Sequence, residues 1–308
     1  MSILFYSEGD DPQPWRDALA KAFPEIAFEI WPDVRDRNAV RYALVWNPPA
    51  GVLARLPKLK AVLALGAGVD SLLADPTTPQ VPVVRLVDAG LAAQMAEYAA
   101  YGVLHFHRRM GDYRQLQQNS KWKPLEPVPA SRWTVGIMGT GVIGGLIANY
   151  LIALGYRVRG WSRSGTRVNG IEVFAGDKQF ESFLCKSNAV INVLPLTGHT
   201  RGILNARTFA AMPRGSYIIN IGRGGHLVES ELLDALESGQ IAGAMLDVFN
   251  EEPLPVSSPL WTHPDVVITP HVAGVTIAGE AEAQVVANIR RMEAGELPVG
   301  IVDRAKGY

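Results

Sequence analysis

The sequence predicts an α/β protein with two doubly wound domains, each built on a parallel sheet. Short apolar runs alternate with helical patterns along most of the chain. Uninterrupted apolar strands indicate parallel sheets that helices cover on both faces. The runs form two sets, and 308 residues, 48% of them hydrophobic, are enough for two cores of ordinary size.

The first third of the chain predicts the strands of one sheet. Four apolar runs are read as buried strands: ILFYS (3–7), YALVWN (42–47), AVLALG (61–66) and VPVVRLV (81–87). Between the first two runs, WRDALAKAF (15–23) has the apolar spacing of a helix.

The middle of the chain repeats this alternation and predicts a second sheet. Six runs are read as its strands: TVGIMG (134–139), RVRGWS (157–162), AVINVLP (189–195), SYIINIG (216–222), GAMLDV (243–248) and VVITPH (266–271). The segment VESELLDALESGQ separates the fourth run from the fifth and has helical spacing. Gly239 is placed to end that helix.

Two further helical segments lie outside these sets. One runs from about Leu91 to Gln118 and, with the proline-rich KPLEPVPASR (123–132), marks the join between the domains. The other runs roughly from Ala278 to Glu293 and leads into a short tail. Because that tail is too small for a domain, we expect it to pack on one of the other two.

Composition argues against several classes of partner. Basic and acidic residues nearly balance, 29 against 30, and no basic block is present, so we expect neither nucleic acid nor an anionic membrane as a partner. The single Cys185 cannot form an internal disulfide, which fits a reducing compartment. The start MSILFYSEGDD lacks the positive region of a signal peptide. We therefore expect a cytoplasmic protein.

One segment, from Trp133 to Tyr156, is uncharged over a length that would span a bilayer. It contains several glycines, each of which would cost a continuous helix about 1 kcal/mol. A strand, a tight turn and a helix explain this segment better than a membrane span.

A glycine-rich turn follows the first strand of the second set. Its sequence is the GxGxxG pattern of dinucleotide-binding proteins: Gly139, Thr140, Gly141, Val142, Ile143 and Gly144. The first glycine makes the turn, the second lets a pyrophosphate approach the backbone, and the third lets helix and strand pack closely. The helix N-terminus would donate N–H groups to the phosphates. This strand-turn-helix context predicts a Rossmann domain.

About twenty residues later, GWSRSGT (160–166) stands where NAD-binding proteins place an acid for the ribose hydroxyl. Ser162, Arg163 and Ser164 occupy that position instead. Hydroxyls and a guanidinium suit a 2′-phosphate, since arginine donates two parallel hydrogen bonds to phosphate. Arg163 by itself is also explained as a solvated loop residue. The missing acid predicts NADP(H) as the preferred cofactor, with NAD(H) possible.

Three polar residues follow consecutive predicted strands of the second sheet: Arg223, Glu252 and His271. Ligands bind outside the carboxyl ends of the strands of an open parallel sheet, so these side chains can converge. Arginine can hold a carboxylate and polarise the adjacent carbonyl, and histidine can donate a proton to the developing alkoxide. A carboxylate beside the imidazole would orient it and favour its charged form. Together the three residues predict carbonyl reduction.

Three blocks of the sequence resemble the signature blocks of the D-isomer-specific 2-hydroxyacid dehydrogenases: NIGRGGHLVESELLDAL (220–236), GAMLDVFNEEPLP (243–255) and ITPHVAG (268–274). LGAGVDS (65–71) and MAEYA (95–99) extend the likeness over most of the chain. With YALVWNPP (42–49) and the terminal VDRAKGY (302–308), it points to the branch that reduces glyoxylate and hydroxypyruvate.

The resemblance implies a role for each polar residue. Arg223 would bind and polarise the substrate, Glu252 would pair with the histidine, and His271 would donate the proton. The resemblance also implies cofactor contacts at six further positions: Leu194, Pro195, Ile221, Gly222, Asp247 and Gly274. Asp247 would meet the nicotinamide amide.

Substrate contacts are implied in the first domain as well. In LGAGVDS the backbone N–H groups of Ala67 and Gly68 would bind the substrate carboxylate, as glycine-containing nests bind anions. Trp46 would form a wall of the pocket and limit the size of the substrate, although an ordinary core tryptophan is an alternative. With Arg223 and His271, these residues form the implied substrate set.

The family further implies the arrangement of the chain. A flavodoxin-like substrate domain would span 1–100, a Rossmann domain would span 101–274, and a C-terminal helix in 275–308 would return to the substrate domain. The implied activity is NADPH-dependent reduction of small 2-oxoacids, glyoxylate to glycolate and hydroxypyruvate to glycerate, by a homodimer.

Two other functions stay open. An enzyme of the same fold with another substrate is one, although phosphoglycerate dehydrogenases usually carry a regulatory domain for which 308 residues leave no room. Formate dehydrogenases lack the histidine-glutamate pair, so Glu252 argues against them. A dinucleotide-sensing binding protein, like the corepressors of this fold, would keep the same polar residues. The absence of long tails and of a basic surface argues against that function.

Two other features are expected to carry no chemistry. His105 and His107 resemble a metal pair, but residues two apart on a helix do not face each other, so we expect no metal site. Cys185 lies in the helical pattern FESFLCKS and is read as a packed small residue.

Overall fold

A computed structural model describes residues 1–277 and 279–307. The chain divides into two compact units, one of Met1–Gly90 with Thr276–Tyr308 and the other of Leu91–Val275. Each unit is a parallel sheet with apolar cores on both of its faces. The predicted fold class is therefore confirmed.

The regular elements alternate along the chain. The strands are β1 (Ser2–Tyr6), β2 (Ala27–Ile30), β3 (Val40–Val45), β4 (Ala61–Ala64), β5 (Val83–Val84), β6 (Thr134–Met138), β7 (Arg157–Ser162), β8 (Glu172–Ala175), β9 (Ala189–Asn192), β10 (Ser216–Asn220), β11 (Ile241–Leu246) and β12 (Val266–Ile268). The helices are α1 (Pro12–Ala22), α2 (Asp70–Ala74), α3 (Leu91–His107), α4 (Met110–Gln118), α5 (Val142–Ala153), α6 (Phe180–Leu184), α7 (Ala206–Ala211), α8 (Glu229–Glu237) and α9 (Glu280–Glu293).

The sheet of the first unit has the strand order β2-β1-β3-β4-β5, with every pairing parallel. This order is the one found in flavodoxin-like folds. One face of the sheet packs against α1 and α9, mainly through Trp15, Leu19, Val285 and Ile289. The other face packs against α2 and a 3-10 turn.

The sheet of the second unit has the order β12-β11-β10-β9-β6-β7-β8, again all parallel. Apart from the added β12, this is the strand order of a dinucleotide-binding Rossmann sheet. Helices α3 and α5 cover one face, and α6 to α8 cover the other. Strand order reverses between β6 and β9, where such sheets bind their ligands.

Two strands are absent from the sequence-based prediction, β2 and β8. Both lie at an edge of their sheet and both contain a glutamate, Glu29 or Glu172, among four residues. An edge strand is not enclosed on both sides, so it lacks the continuous apolar run by which the central strands were recognised.

The helical stretch predicted from Leu91 to Gln118 is two helices. Helix α3 ends at His107 and α4 begins at Met110, because Arg109 adopts a left-handed conformation, with φ of 56°. The expected end of α8 is confirmed, since the helix stops at Glu237 and Gly239 follows with φ of 69°.

Several local predictions need correction. The last strand of the second sheet ends at Ile268, so His271 lies in the following loop and not within the strand. Helix α9 begins at Glu280, and the predicted first residue, Ala278, lies outside the described residues, as does Tyr308. Cys185 is exposed directly after α6, so the prediction that it is packed is wrong.

The uncharged segment from Trp133 to Tyr156 forms β6 and α5, as predicted. In the described part of the chain, we find no helix with the length and apolar character needed to cross a membrane.

Candidate active site

The glycine-rich turn joins β6 to α5 in the second unit. Gly139 has φ of 107°, a conformation that L side chains rarely adopt. A Cβ at Gly144 would overlap the carbonyl oxygen of Gly139, so helix and turn require glycine at both positions. Gly141 precedes α5 and has open space around it. The backbone N–H groups at the start of α5 are therefore available to an anion.

The end of β7 lies beside this turn. Oγ of Ser162 accepts hydrogen bonds from Oγ1 of Thr140 at 2.9 Å and from the backbone N–H of Thr166 at 3.2 Å. Arg163 and Ser164 are exposed, and the Ser164 hydroxyl lies 3.0 Å from Oγ1 of Thr166. Both lone pairs of the Ser162 oxygen are thus used within the turn, and the residue retains only its O–H donor for a ligand.

Two further loops follow β9 and β10. Leu194, two residues after β9, and Ile221, directly after β10, are both buried. A Cβ at Gly222 would lie 2.9 Å from Nδ2 of Asn192, so the loop after β10 lies against the end of β9. The loops that hold the predicted cofactor contacts therefore lie next to the point where strand order reverses.

Arg223 follows Gly222 in an extended conformation and precedes the 3-10 turn Gly224–His226. Its Nη1 donates a hydrogen bond to the carbonyl of Gly222 at 2.7 Å. A Cβ at Gly224 would overlap the backbone of Phe249, in the loop after β11. This close approach brings the Arg223 turn beside the loop that carries Glu252.

Glu252 and His271 form a hydrogen-bonded pair. Nδ1 of His271 lies 2.8 Å from Oε2 of Glu252, and Oε1 of Glu252 accepts the Phe249 N–H at 2.9 Å. Partial burial raises the pKa of the Glu252 carboxyl. The hydrogen bonds from His271 and Phe249 and the charges of His271 and Arg223 outweigh this effect, and they hold that pKa below its usual range. The carboxylate is consequently ionised at neutral pH.

His271 itself has a left-handed backbone, with φ of 56°, which is uncommon for a residue other than glycine. Its N–H donates to the carbonyl of Asp247 at 2.8 Å. Asp247, directly after β11, therefore stabilises the conformation of the loop that carries His271.

The carboxylate of Asp247 holds the same loop in addition. Oδ1 accepts the Thr269 hydroxyl at 2.5 Å and the Val272 N–H at 2.8 Å, and Oδ2 accepts the Ala273 N–H at 2.9 Å. Asp247 is only 1% exposed. Besides the cofactor contact implied by the family resemblance, Asp247 thus fixes the loop on both sides of His271.

Sequence reasoning missed Tyr98, which extends this network. The Thr269 hydroxyl donates to a carboxylate, so the Tyr98 hydroxyl, 2.6 Å away, is the donor to Thr269. Gly274 lies at the other end of the loop, where a Cβ would come within 2.8 Å of Met95. Helix α3 therefore contacts the loop at two points. MAEYA (95–99) was noted only as part of the family likeness, and no local pattern marks Tyr98.

The predicted substrate residues of the first unit lie after β3 and β4. A Cβ at Gly66 would overlap the indole of Trp46, so the ring packs directly on the chain that leads to Ala67 and Gly68. Ala67 and Gly68 are half-buried and lead, through Val69, into α2. The hydroxyl of Thr276 donates to the carbonyl of Leu65 at 3.2 Å, which ties this loop to the segment before α9.

Comparison with known proteins is consistent with this geometry. The family model for the D-isomer specific 2-hydroxyacid dehydrogenase, NAD binding domain, matches residues 101–273. The chain is 46% identical over 314 residues to glyoxylate/hydroxypyruvate reductase A of Serratia proteamaculans, with 100% of both chains covered.

Solved structures give the same result. A D-isomer specific 2-hydroxyacid dehydrogenase from Xanthobacter autotrophicus in complex with NADPH and MES is 43% identical, with a TM-score of 0.95 and coverage of 100% of this chain and 99% of that one. The NADPH-dependent glyoxylate/hydroxypyruvate reductase of Sinorhizobium meliloti, in complex with NADP and sulfate, is 37% identical, with a TM-score of 0.93 and the same coverage. The chain therefore belongs to the D-isomer specific 2-hydroxyacid dehydrogenase family.

Proposed function

We propose that this protein reduces small 2-oxoacids with NADPH, converting glyoxylate to glycolate and hydroxypyruvate to glycerate. The observation that carries the proposal is the 2.8 Å hydrogen bond between His271 and Glu252, in a loop beside the Arg223 turn. A proton donor with an ionised partner, next to a fixed guanidinium, suits the reduction of a carbonyl that adjoins a carboxylate.

The residues of the glycine-rich turn fit a dinucleotide cofactor. The pyrophosphate would be bound by backbone N–H groups of the turn from Gly139 to Gly144. A 2′-phosphate would be bound by exposed Arg163 with the hydroxyls of Ser162 and Ser164, since no carboxylate stands at the end of β7 to repel it. Leu194, Pro195, Ile221, Gly222, Asp247 and Gly274 are the further cofactor contacts that we assign. When bound, the reduced nicotinamide supplies the hydride.

Arg223 is the proposed substrate anchor. Its planar guanidinium can donate to the substrate carboxylate and to the oxygen of the adjacent carbonyl, which draws electron density from the carbon that is reduced. The hydrogen bond from its Nη1 to the Gly222 carbonyl limits the positions that the guanidinium can take.

His271 is the proposed proton donor. As the carbonyl is reduced, charge develops on its oxygen, and the imidazolium of His271 gives that oxygen a proton. Glu252 accepts from Nδ1, so Nε2 is the atom that transfers the proton. The ionised carboxylate also holds the ring in that orientation.

In the other unit we assign substrate contacts to Ala67 and Gly68, whose backbone N–H groups suit a carboxylate. Trp46 is assigned the limit on substrate size. Its indole is fixed by contact with Gly66, so a larger residue at position 66 would displace it.

We further propose that the protein is a cytoplasmic homodimer. Large apolar side chains are exposed on α3, on α4 and in the segment that follows them: Tyr101, Leu104, Met110, Tyr113 and Trp122. Clustered exposed apolar residues are typical of subunit interfaces. Sedimentation equilibrium of the wild type and of a Tyr101→Asp variant tests this proposal.

A single experiment tests the function. Turnover is measured with NADPH and with NADH against a panel of 2-oxoacids that includes glyoxylate, hydroxypyruvate, pyruvate and phosphohydroxypyruvate. Highest kcat/KM with glyoxylate or hydroxypyruvate and NADPH supports the proposal. Preference for a larger oxoacid identifies a dehydrogenase of another substrate, and cofactor binding without turnover identifies a dinucleotide-sensing protein.

A further inference from the structure

His226 is a buried histidine that the proposed reaction does not use. It closes the 3-10 turn after Arg223 and is 0% exposed. Its Nε2 lies 3.2 Å from the carbonyl oxygen of Pro195, in the loop after β9. Its Nδ1 lies 3.1 Å from the backbone nitrogen of Arg223, in the loop after β10. One ring therefore touches both loops.

The partners of the ring determine which nitrogen carries the proton. The Pro195 carbonyl can only accept, so Nε2 of His226 must be the donor. Full burial favours the neutral ring, in which Nδ1 then has no proton and accepts the Arg223 N–H. Nδ1 also lies 3.1 Å from the Arg223 carbonyl, but that oxygen already accepts from Nδ2 of Asn220 and from the His226 N–H.

We propose that His226 is a positioning residue that couples the Pro195 loop to the backbone of Arg223. Through Nε2–H it holds the loop assigned to the cofactor, and through Nδ1 it holds the peptide that precedes the guanidinium. This proposal rests on the proposed function, because it assigns the two loops to cofactor and oxoacid.

The hydrogen bonds around Arg223 explain why the contact with His226 affects the position of the guanidinium. Its N–H is held by His226, its carbonyl is held by Asn220, and its guanidinium donates to Gly222. If the N–H partner is lost, the extended backbone of Arg223 is released at the residue that carries the guanidinium. A small backbone rotation produces a large displacement at the tip of a long side chain. The contact with the oxoacid should therefore be lost while the protein still folds.

Two conservative substitutions separate the two hydrogen bonds. The amide nitrogen of glutamine reaches the position of Nε2, so His226→Gln keeps a donor for the Pro195 carbonyl and removes the acceptor for the Arg223 N–H. The amide oxygen of asparagine reaches the position of Nδ1, so His226→Asn keeps that acceptor and removes the donor. His226→Leu removes both.

We expect His226→Gln to lower kcat/KM for glyoxylate about 5- to 150-fold, the effect of leaving one buried polar group unpaired, with the KM for NADPH within about 2-fold of wild type. We expect His226→Asn to raise the KM for NADPH and to keep kcat and the KM for glyoxylate closer to wild type. If both variants change the same constants equally, or neither changes any, the positioning role is wrong.

His107 provides a matched control. It lies at the end of α3, where its two ring nitrogens are each 2.8 Å from a partner, the Tyr156 hydroxyl and the Val128 carbonyl. We expect His107→Gln to lower Tm without changing either KM. A fall in kcat/KM for glyoxylate that matches the fall in His226→Gln would mean that general loosening, and not positioning, accounts for the His226 result.

A measurement on the wild-type protein does not depend on the folding of any variant. Long-range proton–nitrogen NMR correlations of the histidine rings should assign His226 to the neutral form protonated at Nε2, and the other neutral form or imidazolium overturns the proposal. This result is independent of catalysis. If the wild type reduces no oxoacid with NADPH, the proposed function fails, whereas an active wild type with unchanged His226 variants overturns only the role of His226.

Discussion

Nδ1 of His271 lies 2.8 Å from Oε2 of Glu252, and the second oxygen of that carboxylate accepts the Phe249 N–H at 2.9 Å. The backbone of the loop after β11 thus orients the carboxylate, which in turn orients the ring. Because the His271 backbone is left-handed and bonded to Asp247, the position of the imidazole is fixed from two sides.

Replacing the proton donor should abolish most of the turnover and spare cofactor binding. We expect His271→Gln to lower kcat by about 10²–10⁴, the usual contribution of positioned proton transfer. The dissociation constant for NADPH, measured by fluorescence titration, should change little. A variant that reduces glyoxylate at close to the wild-type rate would contradict the role given to His271.

Glu252→Gln should change the pH dependence of the reaction. The pKa of Glu252 is lowered, so in the wild type the carboxylate stays ionised down to a pH below the usual glutamate pKa of about 4.3. Glutamine keeps the shape of the side chain and removes its charge. The wild-type activity should therefore fall in acid, where Glu252 becomes protonated and His271 loses its charged partner, whereas the variant has no group there to protonate and should lack this acid limb. The profile of kcat/KM in the reduction direction measures this, and two identical profiles would contradict the pairing.

Arg223→Lys keeps the positive charge but loses the planar fork of the guanidinium. We expect a large rise in the KM for the oxoacid together with a fall in kcat, because the same side chain both binds and polarises. Steady-state kinetics with glyoxylate and hydroxypyruvate measure both constants. An unchanged KM for every oxoacid that the enzyme reduces would remove Arg223 from the site.

Arg163→Ala should weaken binding of NADPH selectively. A hydrogen bond to a charged group contributes about 1.5–3 kcal/mol, which corresponds to about 10- to 150-fold in affinity. NADH has no 2′-phosphate, so its binding should barely change. Ser162→Asp should go further, since a carboxylate repels the phosphate and accepts from a ribose hydroxyl.

The oxygen of Ser162 already accepts from Thr140 and Thr166, and an aspartate can accept the same two hydrogen bonds. The Ser162→Asp variant should therefore fold, and its Tm is the control. The decisive measurement is kcat/KM with each cofactor for the wild type and both variants. Equal losses with NADPH and NADH in Arg163→Ala, or a wild type that prefers NADH, would show that Arg163 is only a surface charge.

The hydrogen bonds that join Tyr98, Thr269 and Asp247 hold the loop of His271, and two substitutions should weaken them to different degrees. Burial raises the pKa of Tyr98 to about 12, so its hydroxyl remains a donor at neutral pH. Tyr98→Phe removes one hydrogen bond to Thr269, whereas Thr269→Val removes that bond and the one to Asp247. We expect losses in the free energy of unfolding of about 0.5–1.5 kcal/mol and about 1–3 kcal/mol respectively. Urea unfolding and kcat are measured together, and a larger fall in kcat for Tyr98→Phe than for Thr269→Val would contradict the network.

Much of the fold was predictable because local sequence patterns determine it. The central strands are continuous apolar runs, the GxGxxG turn has its strand before it and its helix after it, and α8 ends where Gly239 follows. The edge strands β2 and β8 and the break at Arg109 were not predictable in this way. An edge strand with a glutamate lacks the continuous apolar run that marks a buried strand. No residue pattern in the sequence marks the left-handed conformation of Arg109.

The chemistry of the candidate site also follows from the sequence by itself, since a guanidinium, an imidazole and a carboxylate after successive strands define what can react. Only the tertiary structure decided how these groups are held. Tyr98 and Thr269 are 171 residues apart, and His226 and Pro195 are 31 apart. Such contacts depend on which loops the sheet brings together, and a hydrogen bond has a required distance and direction that no spacing along the chain expresses. Residue type is a local property of the sequence, whereas the pairing of Nδ1 and Nε2 of His226 with two separate loops exists only in the folded chain.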